Sequence, residues 1–207
     1  MIEDAANSRW EVDWRFVIMQ PHRTAERIGS ANAGKVQMQS AKGPGSPEDA
    51  AILPPIDFDP AMVFESSPVQ AAFEYWESQR RGRLMPTLAE LDHDDMHPFL
   101  DSVGLVEIRP DPNSLSDYFV GFAGPRIESI FGARTGRTLS DGVPDAIAAR
   151  WRLGFDMVRR SAKPIRATAH VAFEGKTEIE TEILVAPLGD DTTPSAFFVA
   201  INALDRH

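Results

Sequence analysis

Hydrophobic and polar positions fall into a sustained pattern only from about residue 66 onward. Val69, Ala72, Phe73 and Trp76 recur at helical spacing behind Ser66-Ser67-Pro68, a polar cap with proline in the first turn, and predict a helix from Ser67 to Gly82. Thr87-Leu88-Ala89-Glu90 has capping-box spacing, and Asp92 to Leu100 reads as a second short helical stretch around Pro98. Val103 to Arg109 is strand-like, Asp111-Pro112-Asn113 is turn chemistry, and Tyr118 to Ala123 is aromatic and β-branched enough for a second strand. Gly124-Pro125 stops that strand. Ile127, Ile130 and Phe131 then share one face of a short helix closed by Gly132 and Gly136. Ile147, Trp151, Phe155 and Val158 predict the longest helix, from Pro144 to Ser161.

Three strands complete the pattern: Pro164 to Phe173, Glu178 to Leu188, and Ser195 to Leu204. In the first, Ile165, Ala167, Ala169 and Val171 oppose Arg166, Thr168 and His170. In the second, Ile179, Thr181, Ile183 and Val185 oppose Glu178, Glu180 and Glu182. The third, AFFVAINA, is apolar on both faces and predicts a central strand covered from both sides. The order implies an α+β fold: a five-stranded antiparallel sheet with helices on one face, and the Ser67–Gly82 helix over part of the other. Residues 1–65 read instead as an extension. Trp10, Val12, Trp14, Phe16 and Ile18 alternate with polar residues, but Gly29 to Pro55 has the Gly, Ala, Ser, Pro and Gln content of a linker. The expected division is therefore 1–65, poorly ordered, and 66–207, the domain.

Composition narrows the function classes. The 207 residues are 43% hydrophobic and 25% charged, as in a soluble globular protein. A net charge of −10 argues against sequence-independent binding to nucleic acid. With no cysteine, there is no disulfide framework, thiolate nucleophile or cysteine-ligated zinc site. The acidic start is no secretory leader, and no apolar run reaches membrane-spanning length, so a cytoplasmic bacterial protein is the expectation.

Few residues suggest chemistry directly. His93-Asp94-Asp95-Met96-His97 places two histidines at i and i+4, as in zinc proteases of the HExxH type. Asp stands where the Glu base would be, Pro98 follows at once, and no third ligand is evident. Arg80-Arg81-Gly82-Arg83 fits a cationic helix end better than a phosphate site. Lys42-Gly43-Pro44-Gly45-Ser46 lacks phosphate-loop spacing. The row Glu178, Glu180, Glu182 reads as a solvent-facing strand or, less simply, a contact for a basic partner.

Two segments carry a resemblance: YWESQRRGRLMPTLAELDHDDMHPFLDSVGLVEI, residues 75–108, and YFVGFAGPRIESIFGARTGRTLSD, residues 118–141. With the element order, they resemble a PAS domain, and more closely the small stand-alone PAS proteins of alphaproteobacteria. That resemblance implies a PAS-like sheet with an interior pocket. Its walls would be Phe122, Ile127, Phe131, Trp151, Phe155 and Ile183, with Thr181 as a hydrogen-bonding group. The same side chains also suffice as an ordinary packed core. PAS subtypes that bind flavin or a thioester chromophore through cysteine are excluded, and the Pro144–Ser161 helix lacks the axial histidine of the haem subtype. Haem through His170, a noncovalent flavin or a small metabolite stay open, and the cofactor is unknown.

The function implied is a signal-transduction sensor or interaction module without catalytic output of its own. It would bind a small ligand, a signalling protein, or itself. A homodimer through the Ser67–Gly82 helix and sheet face is expected from Phe73, Trp76 and Leu184, apolar groups otherwise left exposed. Two other classes compete. One is a cone-shaped α+β enzyme using His/Asp acid–base chemistry in an apolar pocket, which needs His170 or His97 inward beside a carboxylate. The other is an adaptor with a filled core.

Overall fold

All five strands expected from alternation form one antiparallel sheet in the computed structural model, which describes residues 56–111, 114–171 and 179–204. The chain divides into two units, Met1–Gly43 and Pro44–His207, and every described residue lies in the second. The aromatic start and the linker at residues 1–55, and Glu178, fall outside the described residues.

Two short strands extend the sheet to seven. In chain order the strands are β1 (Asp57–Asp59), β2 (Val103–Asp111), β3 (Ser114–Ala123), β4 (Arg137–Thr138), β5 (Ile165–Val171), β6 (Ile179–Gly189) and β7 (Pro194–Ala203). Their spatial order is β1-β5-β6-β7-β2-β3-β4. The additions are the two edges, β1 against β5 and β4 against β3. Residues 57–59 belong to the stretch whose composition reads as extension; three residues are too few to show alternation.

Helix α1 (Ser67–Arg80) covers one sheet face, and α3 (Pro125–Phe131) with α4 (Asp145–Ser161) covers the other; α2 (His93–Met96) is a single turn in the connector after α1. Val69, Ala72, Tyr75 and Trp76 of α1 pack with Leu184, Leu188 and Phe198. Ile127, Phe131, Phe155 and Val158 pack with Ile183, Val185, Phe197 and Val199. The doubly apolar pattern of β7 is thereby explained: its alternate side chains enter two different cores.

The cover supplied by α1 removes the basis for the expected dimer. Trp76 and Leu184 are fully buried within the chain, and the Trp76 indole Nε1 donates to the Pro187 carbonyl at 2.9 Å. Phe73 is partly buried, flanked by Phe64 and Trp76 at ring distances of 5.2 and 6.2 Å. None of the three is left as an exposed anchor.

The entry to α1 also differs from expectation. The Ser66 side chain makes no capping bond. Instead Glu182, reaching across from β6, accepts the backbone N–H of Glu65 at 3.0 Å and of Ser66 at 2.8 Å. Glu182 is fully buried, so it is no part of a solvated acidic row. Its partner is Arg166 on β5, which also reaches Asp59 on β1 at 2.9 Å and Glu65 at 3.2 Å. Burial opposes the Arg166 charge, yet the bonds and attraction of Glu182 and Asp59 outweigh it and raise the guanidinium pKa above its ordinary value. This cluster ties β1 and the lead-in of α1 to the middle of the sheet.

Candidate functional site

Helices α3 and α4 stand off the sheet because aromatic rings separate them from it. Phe155 of α4 stacks on Phe197 of β7 at 5.1 Å, and Tyr118 of β3 packs against Phe155 at 5.0 Å. The Tyr118 hydroxyl donates to Asp156 and so fixes α4 along its length. Trp151, one turn earlier, meets the edge of Phe131 on α3 at 5.2 Å. Rings this large cannot fill the taper between helix and sheet completely, and a cavity of about 60 Å³ remains.

Ile127, Phe131, Trp151 and Phe155, four of the expected wall residues, line that cavity together. Phe122 borders it but packs with the α1-side core. The reason is an irregularity in the β2–β3 pairing: Leu105 opposes Phe122, whereas Val106 opposes Val120, so Gly121 is extra and the alternation flips there. Ile183 lines a second space of about 50 Å³ between α4, β1 and β5, with Trp151 as the shared wall. Thr181 lines neither. It is fully buried, and its hydroxyl donates to the Ala169 carbonyl on β5 at 2.9 Å.

Sequence reasoning missed Arg134, which also lines the larger cavity and is 8% exposed. It sits in the loop between α3 and β4, where two glycines suggested only a turn. That loop is built: Glu128 accepts the N–H groups of Arg134 and Thr135, and the Thr135 hydroxyl accepts the N–H of Ala123 at 3.0 Å. The Arg134 Nε donates to the Ala133 carbonyl. Arg134 is the one charged residue among the apolar residues that line the cavity.

Size decides what fits. A cavity near 60 Å³ is below the ~150 Å³ space that admits benzene and far below the ~300–1,000 Å³ of sites for drug-sized ligands. A flavin or haem has no room in a space of this size.

The remaining candidates are placed plainly. His93 and His97 are exposed at the two ends of α2, and among the described residues no group of three His, Cys, Asp or Glu is arranged to hold a metal ion. Arg80 pairs with Glu77 at 2.8 Å and lies over the Trp76 ring, and Arg83 pairs with Glu90 at 2.6 Å, so the arginine cluster is largely engaged within the chain. His170 is partly buried on β5 opposite Glu180 of β6. Among the described residues, no helix is long and apolar enough to cross a membrane.

Comparison with known families agrees with the geometry. A model of the PAS domain matches residues 64–201, from just before α1 to two residues short of the end of β7. A search of curated proteins finds no match. The match spans most of the chain and every element from α1 to α4 and β2 to β7, and the chain belongs to the PAS domain family of sensory and signalling modules.

Proposed function

We propose that this protein is a cytoplasmic bacterial signalling module whose PAS domain senses a small ligand and passes the result to a partner protein, without a catalytic step of its own. The observation that carries the proposal is the cavity between the sheet and α3 and α4, walled by Ile127, Phe131, Trp151 and Phe155. Close-packed cores leave few voids larger than a water molecule, so a space of this size supports the reading. The signal is a population shift. A ligand wedged between α4 and the sheet changes the equilibrium between two placements of α4 only by its differential affinity for them. The partner, a second protein or a second copy, reads the altered surface.

The acid–base enzyme has less support. His97 is exposed, and His170 lines the smaller space rather than the cavity that contains Arg134. Native mass spectrometry of freshly purified full-length protein, compared with its denatured mass, tests the sensing proposal. An extra dissociable mass that is lost in a Val199→Phe variant, where a ring enters the cavity, is the expected result. A bare mass for the wild-type protein, with no stabilisation by any member of a small-metabolite panel, would shift the assignment to the adaptor.

A further inference from the structure

We infer that the outward face of α4 is the surface that meets the partner, and that the partner lays an acidic amphipathic helix along it. The inference rests on the partner-output half of the proposal above and names the chemistry of that contact; it does not depend on what fills the cavity. Three observations carry it.

The first is an apolar group left outside. The inner face of α4 is taken up by the core, where Phe155 and Val158 are buried. Leu153 falls on the opposite side and is 48% exposed. Val63 and Leu84, the other large hydrophobic side chains exposed among the described residues, lie outside helices and strands, whereas Leu153 stands on a regular helix. Ala149, one turn earlier, is exposed as well, and a small residue beside a large one suits the interleaving of two helices.

The second is charge. The chain carries −10 overall, yet residues 145–163 hold Arg150, Arg152, Arg159, Arg160 and Lys163 against only Asp145 and Asp156. Arg159, Arg160 and Lys163 are exposed and Arg152 is half-buried. Among the described residues none of these four forms an ion pair. The Arg152 Nε is shut off from solvent with no acceptor there. Asp156 accepts the Tyr118 hydroxyl, and Asp145 lies in the first turn, about 20 Å along the helix from Arg159. The helix dipole accounts for cations in the last turn, but not for Arg152 two turns earlier.

The third is arrangement. Helical spacing puts Ala149, Leu153 and Arg160 along one outward stripe, with Arg152 and Arg159 on its flank. A small apolar centre with a cationic rim matches a helix that offers Leu or Ile at its middle and Asp or Glu along its edges. An anionic membrane fits less well. The broad apolar face that would enter lipid is already packed on the sheet, and the acidic remainder of the molecule is repelled by an anionic plane. A single helix needs to come within the ~8–10 Å Debye length of the cations alone. Trp151 and Phe155 line the cavity from this same helix, so a shift of α4 reaches both faces together.

The test is an amide-NMR titration of the full-length protein with three synthetic peptides of about 18 residues, long enough for helicity. One is an acidic amphipathic helix with a leucine stripe, one replaces every Glu with Lys, and one scrambles the acidic sequence. The acidic amphipathic peptide is expected to shift amides between Ala149 and Lys163 and to bind at least about tenfold more tightly than the other two, with affinity falling as salt rises. Leu153→Gln should weaken that binding, and the double variant Arg159→Gln, Arg160→Gln should weaken it and flatten its salt dependence. These side chains are exposed, and the remaining amide spectrum checks that the fold is unchanged. Equal binding of the acidic and scrambled peptides, unaffected by Leu153→Gln, would overturn the helix-docking assignment. Shifts confined to α1 would overturn it too, while leaving output through a partner in place. Salt-sensitive self-association of the protein alone, abolished by Leu153→Gln, would give the face to a second copy, and tighter binding to phosphatidylglycerol vesicles than to the acidic peptide would give it to a membrane; either overturns the assignment. No binding of any peptide would overturn it and count against partner output as well.

Discussion

A fully buried carboxylate survives at Glu182 because both its oxygens are occupied. Oε1 takes the Arg166 guanidinium and the Glu65 amide, and Oε2 takes the Ser66 amide. Removing it takes the most buried of three carboxylates from the Arg166 guanidinium and leaves two backbone donors without their acceptor. Glu182→Ala is expected to cost about 3–5 kcal/mol, measured by urea unfolding. Arg166→Met combined with Glu182→Leu should lose less, because the two buried charges go together, although the Glu65 and Ser66 amides still lose their acceptor. The alternation that put Glu180 and Glu182 on one face was silent on burial. The groups that bury Glu182 come from residues 65 and 66, more than a hundred positions earlier. Glu90 behaves differently. The Arg83 guanidinium beside it and the Thr87 amide hold its carboxyl down at about 2, against an ordinary 4.5. A carboxyl lowered on folding contributes stability that is complete above pH 4.5 and disappears as the pH falls towards 2. Acid unfolding of Glu90→Gln should accordingly show a flatter slope across that window than the wild-type protein, with little difference below it.

At the scale of elements, Gly124 shows how a sequence signal can be right for an incomplete reason. Gly124-Pro125 was legible as the place where β3 stops and α3 starts. The backbone at Gly124 is ordinary extended chain, φ −64° and ψ 157°, so the need for glycine is not conformational. A Cβ there would sit 2.4 Å from the carbonyl oxygens of both Leu100 and Asp101. The turn before β2 passes against the start of α3, and the Gly124 amide donates to Val103 at 2.8 Å. Gly124→Ala should therefore push α3 away from the sheet and destabilise by at least ~1–3 kcal/mol, read from the thermal midpoint. It should also loosen the wall formed by Ile127 and Phe131. The cavity itself was half legible. Helical spacing put Ile127 and Phe131 on one face of α3 and Trp151 and Phe155 on one face of α4, and the PAS resemblance implied that those faces wall a pocket. Phe122, also expected as a wall, borders the cavity while packing with the opposite core, since the extra Gly121 reverses the alternation. A glycine inside a strand is the available sign of such a bulge. Arg134 carried no pattern, because loop residues have no period to read.

For the molecule as a whole, both faces of the central strand were predictable from AFFVAINA, but its neighbours were not. β7 lies between β6 and β2, pairing Ile183 with Ile201 on one side and Leu105 with Phe198 on the other. The sheet thus joins the first long strand of the domain to the last. A chain stopped at Gly189 would retain two hairpin-like pieces and no centre, and circular dichroism is expected to show it without cooperative thermal unfolding. The same arrangement has a meaning during synthesis. Until residues 194–203 leave the ribosome, β2 and β6 each present an unpaired edge beside apolar side chains with nothing to cover them. The cavity and the α1 cover are completed in one late event, so the newly made domain passes from two adhesive halves to a closed sheet only as β7 slides into the gap.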